Sequence, residues 1–142
     1  MFDEIVVVCT GNICRSPTAA AMLAAAAPEK NVTSAGLAAL VGHEMNGMAR
    51  EVAENHGLSC PVHQARQLDS AISSAAALLL VMDKRQRNEL MQRFPMASGK
   101  TFLLSHWNGG HDIPDPYQRD RETFEHVYKL MEQASHAWLA RL

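Results

Sequence analysis

Short apolar segments alternate along the chain with longer segments whose apolar residues recur at helical spacing. Residues 5–8 and 75–82 are uninterrupted apolar runs, typical of strands that are covered on both faces of a parallel sheet. Shorter strands are predicted at residues 31–36 and 100–104. Helices are predicted at residues 18–27, 44–56, 84–94 and 120–142. This alternation of strand and helix favours an α/β fold with parallel strands and right-handed crossovers.

Composition narrows the protein class. A chain of 142 residues suits a single domain, which we expect to span residues 1–142. The formal charge of -2 gives no electrostatic reason to bind nucleic acid or an anionic membrane. The start lacks the pattern of a signal peptide, and residues 75–82 are too short to span a bilayer, so we expect a cytoplasmic protein without membrane insertion. The three cysteines fit neither a disulfide framework nor a zinc pattern.

The candidate chemistry lies directly after the first strand, in residues 9–17. Gly11 and Asn12 readily accept positive φ, so the loop can curl until its backbone N–H groups converge on one point. Ser16 suits a helix N-cap and Pro17 the first helical position, which would aim the positive end of the helix at the loop. Such a loop predicts a phosphate-binding site.

Two side chains of this loop suit phosphoryl transfer. The positive field at a helix N-terminus favours the thiolate form of Cys9, which makes Cys9 a candidate nucleophile. Arg15 carries a permanent charge on a planar fork that can hold two phosphoryl oxygens.

A long irregular segment, residues 105–119, offers a candidate acid. Asp115 stands between Pro114 and Pro116, whose restricted backbones can hold its carboxyl group at a defined place. A positioned carboxylic acid can protonate the leaving oxygen. Asp112 in the same segment is the competitor, but it lacks the flanking prolines.

The loop resembles the signature of the low-molecular-weight protein tyrosine phosphatases: a cysteine, five residues, an arginine and a serine or threonine. The resemblance extends over nearly the whole chain, and the matching segments are residues 9–17, 33–36, 63–67, 81–83 and 113–117. It implies a single three-layer domain with a four-stranded parallel sheet flanked by helices and a phosphate-binding loop after the first strand. It also implies metal-independent hydrolysis of phosphotyrosine through a phosphocysteine, with inorganic phosphate as product and no cofactor.

The chain looks most similar to the bacterial branch associated with exopolysaccharide and capsule production. The substrate implied by this resemblance is a phosphotyrosine protein, an autophosphorylated bacterial tyrosine kinase.

The resemblance also implies roles for individual residues. Leu40 and Tyr117 would border the substrate cleft, and Ser34 and His63 would support Asn12. Cys14 would form a protective disulfide with Cys9 under oxidation. The phosphate-binding set is Thr10, Gly11, Asn12, Ile13, Cys14, Arg15 and Ser16.

Three alternatives stay open. Thiol-based arsenate reductases share the loop but need further cysteines after the third strand, and residues 83–99 contain none. Phosphoarginine phosphatases are similar too, but they favour threonine at the position of Ile13. A phosphate-binding module without catalysis would not need Cys9, Arg15 and Asp115 together.

Overall fold

The computed structural model describes residues 2–142. Its centre is one sheet of four parallel strands in the order β2-β1-β3-β4. The strands are β1 (Glu4–Cys9), β2 (Asn31–Gly36), β3 (Leu78–Val81) and β4 (Thr101–Leu103). The register pairs Cys9 with Gly36 and Val8 with Val81, so the carboxyl ends of the three strands β1, β2 and β3 meet at one edge.

Within residues 2–142, five α-helices and one 3₁₀ helix connect and cover the strands. They are α1 (Arg15–Ala26), α2 (Gly47–Asn55), α3 (Ser70–Ala75), α4 (Lys84–Arg93), the 3₁₀ helix (Pro95–Lys100) and α5 (Arg121–Leu139). Alternate residues of β1 point to opposite faces of the sheet and divide the core in two. Ile5 and Val7 pack with residues of α1, α2 and α5, while Val6 and Val8 pack with residues of α4 and the 3₁₀ helix. The three-layer α/β arrangement predicted from the sequence is therefore confirmed.

Several element boundaries differ from the predicted ones. The first helix begins at Arg15, and the second begins at Gly47 because the Asn46 side chain caps it by accepting from the Ala49 N–H. The segment predicted as one strand over residues 75–82 contains the end of a helix, α3, which was not predicted. That helix is six residues long and rich in serine, and it is fixed by the Asp69 side chain at its N-cap. A helix so short leaves almost no periodicity to detect.

The topology creates a crevice at the sheet edge. From β1 the chain crosses outward through α1 to β2, whereas from β3 it crosses the other way through α4 to β4. Ligands of open α/β sheets bind at such a reversal, outside the carboxyl ends of the strands. The loop after β1 and Asp83 after β3 both lie there. Among residues 2–142, no helix is long and apolar enough to cross a membrane.

Candidate active site

The loop after β1 is held by its carbonyl groups. Five consecutive carbonyls, those of residues 9–13, accept hydrogen bonds from outside the loop. The donors, in order, are the N–H groups of Leu37 (3.0 Å), Ala38 (2.9 Å) and Leu40 (3.1 Å), His63 Nε2 (2.6 Å) and the N–H of Asn46 (2.8 Å). In a planar trans peptide the N–H points away from the carbonyl, so the N–H groups of residues 10–14 face the inside of the loop. The loop is thereby shaped as an anion cradle.

Gly36, at the end of β2, makes room for this loop. A Cβ at Gly36 would lie 2.6 Å from the Thr10 carbonyl oxygen and 2.9 Å from the Ala39 Cβ. Any larger residue would push the loop out of place.

The Asn12 side chain anchors the loop to neighbouring segments of the chain. It is fully buried and has a φ of 59°, which asparagine tolerates better than most residues. Its Oδ1 accepts from the Arg66 N–H (2.9 Å), and its Nδ2 donates to Ser16 Oγ (2.8 Å) and Ser34 Oγ (2.9 Å). Because the Asn12 carbonyl can only accept, the His63 Nε2 bound to it carries a proton.

Two expectations about this loop were wrong in detail. Gly11 does not have positive φ, and a Cβ there would meet only Ile13 Cγ1, at 3.7 Å, so the left-handed turn is made by Asn12 alone. Ser16 is not the N-cap of α1: that position belongs to Cys14, and Pro17 is the third helical residue rather than the first. The Ser16 hydroxyl is already engaged by Asn12 and Cys9, which leaves it unable to cap the helix.

Cys9 is buried and receives two donors at its sulfur. The Asn12 N–H lies 3.3 Å from Cys9 Sγ, and Ser16 Oγ lies 2.9 Å from it. Since Ser16 Oγ already accepts from Asn12, its own proton is free to point at the sulfur. Two donors therefore converge on the Cys9 sulfur.

Arg15 is buried, with 4% of its side chain exposed, and its guanidinium is held by three oxygens. Nη1 donates to the Ile113 carbonyl at 2.8 Å and lies 3.3 Å from Asp83 Oδ2, and Nη2 lies 3.8 Å from Asp115 Oδ2. Burial of an arginine requires such compensation. The fork is therefore fixed beside the loop before any ligand arrives.

Asp115 lies at the mouth of the cradle, with 54% of its side chain exposed. Its Oδ1 accepts from the Tyr117 N–H at 3.0 Å, so the backbone after Pro116 holds the carboxyl group in place. The competitor Asp112 accepts instead from the Lys84 N–H at the start of α4.

A cavity of about 210 Å³ joins these groups. Of the predicted site residues, the ones that line it are Cys9, Thr10, Gly11, Ile13, Cys14, Arg15, Leu40, Asp115 and Tyr117. Leu40 and Tyr117 are 40% and 44% exposed and form apolar parts of its wall. Asn12, Ser16, Ser34 and His63 do not line it, but Ser16, Ser34 and His63 each contact Asn12.

Cys14 differs in character from Cys9. Burial raises the pKa of the Cys14 thiol to about 12, and the nearby Asp115 carboxylate adds to the rise. Cys14 therefore stays a neutral thiol at any ordinary pH. Cys60, whose pKa is also raised by burial, lines a different cavity and is not part of this site.

Three residues of the site were missed in the sequence. Asp83 contacts Arg15, the Arg66 backbone holds Asn12, and Gln86 reaches Thr10. The sequence could have indicated Asp83, because this residue directly follows a buried strand at the carboxyl edge of the predicted sheet. For Arg66 and Gln86 the contacts span 54 and 76 residues and leave no local pattern.

Known proteins are similar to this chain in both sequence and fold. The family model described as low molecular weight phosphotyrosine protein phosphatase matches residues 4–142. The low molecular weight protein-tyrosine-phosphatase Wzb of Escherichia coli (strain K12) is 45% identical over 142 residues, 100% of this chain and 97% of Wzb.

Solved structures give the same result. Vibrio vulnificus Wzb in complex with benzylphosphonate is 45% identical, with a TM-score of 0.97 over 100% of both chains. The YwlE arginine phosphatase from Geobacillus stearothermophilus is 32% identical, with a TM-score of 0.92 over 99% of this chain and 92% of that one.

Proposed function

The chain belongs to the low molecular weight phosphotyrosine protein phosphatases, and we propose that it hydrolyses phosphotyrosine in proteins through a phosphocysteine on Cys9. The observation that carries this proposal is the convergence of Cys9, Arg15 and Asp115 on one cavity whose floor is made of inward-facing N–H groups. A nucleophile, an anion cradle and an acid are the parts that this reaction needs.

In the first step the phosphoryl oxygens bind the N–H groups of the loop and the Arg15 guanidinium. Cys9 Sγ attacks phosphorus, the bond to the tyrosine oxygen breaks, and Asp115 gives that oxygen a proton. The contacts of Arg15 Nη1 with Asp83 and of Nη2 with Asp115 support this role, because they hold the guanidinium beside the cavity.

In the second step water attacks the phosphocysteine. Asp115, now a carboxylate, takes a proton from this water, and inorganic phosphate forms as the bond from sulfur to phosphorus breaks. The Ser16 hydroxyl, 2.9 Å from Cys9 Sγ, stabilises the departing thiolate. No step calls for a metal ion or a cofactor.

The cavity wall supports an aryl phosphate as substrate. Ile13, Leu40 and Tyr117 give the cavity apolar sides on which an aromatic ring can pack. The similar Vibrio vulnificus protein binds benzylphosphonate, an aromatic ring linked to a phosphonate.

As physiological substrate we infer an autophosphorylated bacterial tyrosine kinase that controls exopolysaccharide or capsule production. The resemblance to that branch of the family supports this inference. We also propose a cytoplasmic location, where reducing conditions would keep Cys9 available.

We infer a redox role for Cys14 as well. Peroxide would convert the Cys9 thiolate to a sulfenic acid, and the Cys14 thiol would displace water from it to form a disulfide. Since Cys14 stays protonated, it is not itself the first target of the oxidant.

The phosphoarginine reaction is the second candidate, favoured by the 32% identity to an arginine phosphatase. Ile13 lines the cavity in this chain, and an apolar side chain there suits an aromatic ring better than a guanidinium. A comparison of phosphotyrosine and phosphoarginine peptides at equal concentration decides between the two.

The decisive test is hydrolysis of an aryl phosphate and a phosphotyrosine peptide against pH in metal-free buffer, with Cys9→Ser as a matched variant. We expect turnover with a mildly acidic optimum in the wild type. Cys9→Ser should bind phosphate without turnover. Turnover that survives Cys9→Ser would contradict the phosphocysteine mechanism. Reduced wild-type protein that binds phosphate but hydrolyses neither the aryl phosphate nor the peptide would indicate a binding module.

A further inference from the structure

The amide of Gln86, in the first turn of α4, links two parts of the molecule. Gln86 is 4% exposed. Its Oε1 accepts from the Met82 N–H at 2.9 Å, and its Nε2 donates to Thr10 Oγ1 at 3.2 Å. Because a backbone N–H can only donate, Oε1 must face Met82 and Nε2 must face Thr10. The orientation of the amide is therefore fixed by its partners.

The same residue is also connected to Arg15. The Gln86 N–H donates to Asp83 Oδ1 at 2.8 Å, and Asp83 Oδ2 lies 3.3 Å from Arg15 Nη1. One helical turn thus holds Thr10 directly and Arg15 through Asp83. Both Thr10 and Arg15 line the catalytic cavity.

Helix capping accounts for the bond from the Gln86 N–H to Asp83, but it does not account for the contacts of the Gln86 amide. A glutamine three residues after an N-cap commonly accepts from the N–H of the cap residue itself. Here the cap residue is Asp83, and Gln86 reaches past it to Met82. Capping needs only an acceptor, which a glutamate would supply as well. The donor aimed at Thr10 is what a glutamine adds.

Thr10 is held from two sides by these contacts. Its carbonyl accepts from the Ala38 N–H at 2.9 Å, and its hydroxyl oxygen accepts from Gln86. With that oxygen already accepting, the hydroxyl proton of Thr10 is free to donate to a ligand. The carbonyl bond to Ala38 also aims the next N–H, that of Gly11, into the cradle.

We propose that Gln86 is a positioning residue for phosphoryl transfer: its amide holds Thr10 in place beside the phosphoryl group, and its main-chain N–H helps to fix Asp83 against Arg15. This inference rests on the proposed function, because the positions of Thr10 and Arg15 matter only when that group occupies the cavity. Gln86 itself does not line the cavity and acts through its neighbours.

The test compares Gln86→Met with Gln92→Met. Both substitutions remove a glutamine amide from α4 and keep the approximate shape of the side chain. Gln92 is exposed, so Gln92→Met serves as the matched control. The measurements are kcat and KM on an aryl phosphate, the Kd of inorganic phosphate by calorimetry, and unfolding in urea. Gln86→Met removes two hydrogen bonds, to the Met82 N–H and to Thr10. Loss of the one to Thr10 predicts about a fivefold fall in kcat/KM and a similar weakening of phosphate binding. Gln92→Met should leave both at the wild-type value.

A double-mutant cycle with Thr10→Val separates positioning from a structural role. If Gln86 acts through Thr10, then adding Gln86→Met to the Thr10→Val protein should lower kcat/KM by less than a further factor of two. Losses that multiply would overturn the proposal, as would a Gln86→Met protein that unfolds more easily but keeps wild-type kcat/KM and phosphate affinity.

Gln86→Glu keeps the acceptor for Met82 and so guards against a folding failure of Gln86→Met. It should lose activity while keeping the fold, and full activity would overturn the proposal. A wild type that does not turn over would remove the proposed function. The calorimetric comparison of Gln86→Met, Gln86→Glu and Gln92→Met with phosphate would still decide the role of Gln86.

Discussion

Replacing Asn12 by alanine tests how much this side chain stabilises the loop after β1. The substitution removes three hydrogen bonds of a fully buried side chain, to the Arg66 N–H, Ser16 Oγ and Ser34 Oγ. At about 1 kcal/mol each, their net contribution is about 3 kcal/mol. Alanine at a φ of 59° costs roughly 1 kcal/mol more.

The expected loss in the free energy of unfolding is therefore about 4 kcal/mol. A domain of this size has a total of about 5–15 kcal/mol, so the variant should still fold. With a denaturant slope of about 2 kcal/mol/M, the urea midpoint should fall by about 2 M.

Two further variants divide this loss into parts. Asn12→Gly removes the same three bonds without the backbone cost, and it should be about 1 kcal/mol more stable than Asn12→Ala. Ser34→Ala removes one of the bonds and should cost about 1 kcal/mol. The exposed Asn88 on α4 provides the control, because Asn88→Ala should leave the urea midpoint close to that of the wild type.

The same variants report on catalysis. Without the Asn12 amide, the Ser16 hydroxyl is no longer held beside Cys9, so turnover should fall together with stability. Unfolding by circular dichroism and turnover of an aryl phosphate are the two measurements. A loss below 1 kcal/mol for Asn12→Ala, or an equal loss for Ser34→Ala, would refute the assignment of Asn12 as the anchor.

Three other outcomes are expected from the geometry of the cavity. Asp115→Ala should slow phosphotyrosine hydrolysis by about 10²- to 10⁴-fold. Hydrolysis of an aryl phosphate with an acidic phenol should slow much less, and equal losses on the two substrates would remove Asp115 from the acid role. Arg15→Lys keeps the positive charge but loses the planar guanidinium, so inhibition by inorganic phosphate should weaken at least about tenfold. An unchanged inhibition constant would contradict bidentate binding. Because burial raises the pKa of Cys14 to about 12, this thiol should resist alkylation at pH 8 in the Cys9→Ser protein. Detection of alkylated Cys14 by mass spectrometry would disprove this expectation.

The sheet could be predicted because its strands are marked in the sequence. The β-branched run at residues 5–8 and the leucine run before Val81 have the composition of strands buried on both faces, and both became central strands. The α3 helix (Ser70–Ala75) was missed since tertiary packing and one cap, rather than its own periodicity, stabilise it.

The sequence predicted the candidate nucleophile, arginine and acid of the site better than the residues that hold them in place. Cys9 and Arg15 lie in one contiguous motif, and Asp115 is marked by its two prolines. Asp83 and Gln86 come from the start of a charged helix whose residues are mostly solvent-facing. Their inward orientation follows from contacts with Arg15 and Thr10, more than 65 residues away along the chain.

The errors about Gly11 and Ser16 have the same origin. Both predictions assumed that a loop of this kind is shaped by its own residues, with glycine for the turn and serine for the cap. In the structure, the carbonyls of residues 9–13 are instead turned outward by donors from three separate segments, residues 37–40, residue 46 and His63. Each such bond rotates one peptide plane and sends the following N–H inward. The curvature of the cradle is thus imposed from outside, which leaves the Ser16 hydroxyl free to serve Cys9. A short segment that carries the same motif without those donors would therefore not form the site.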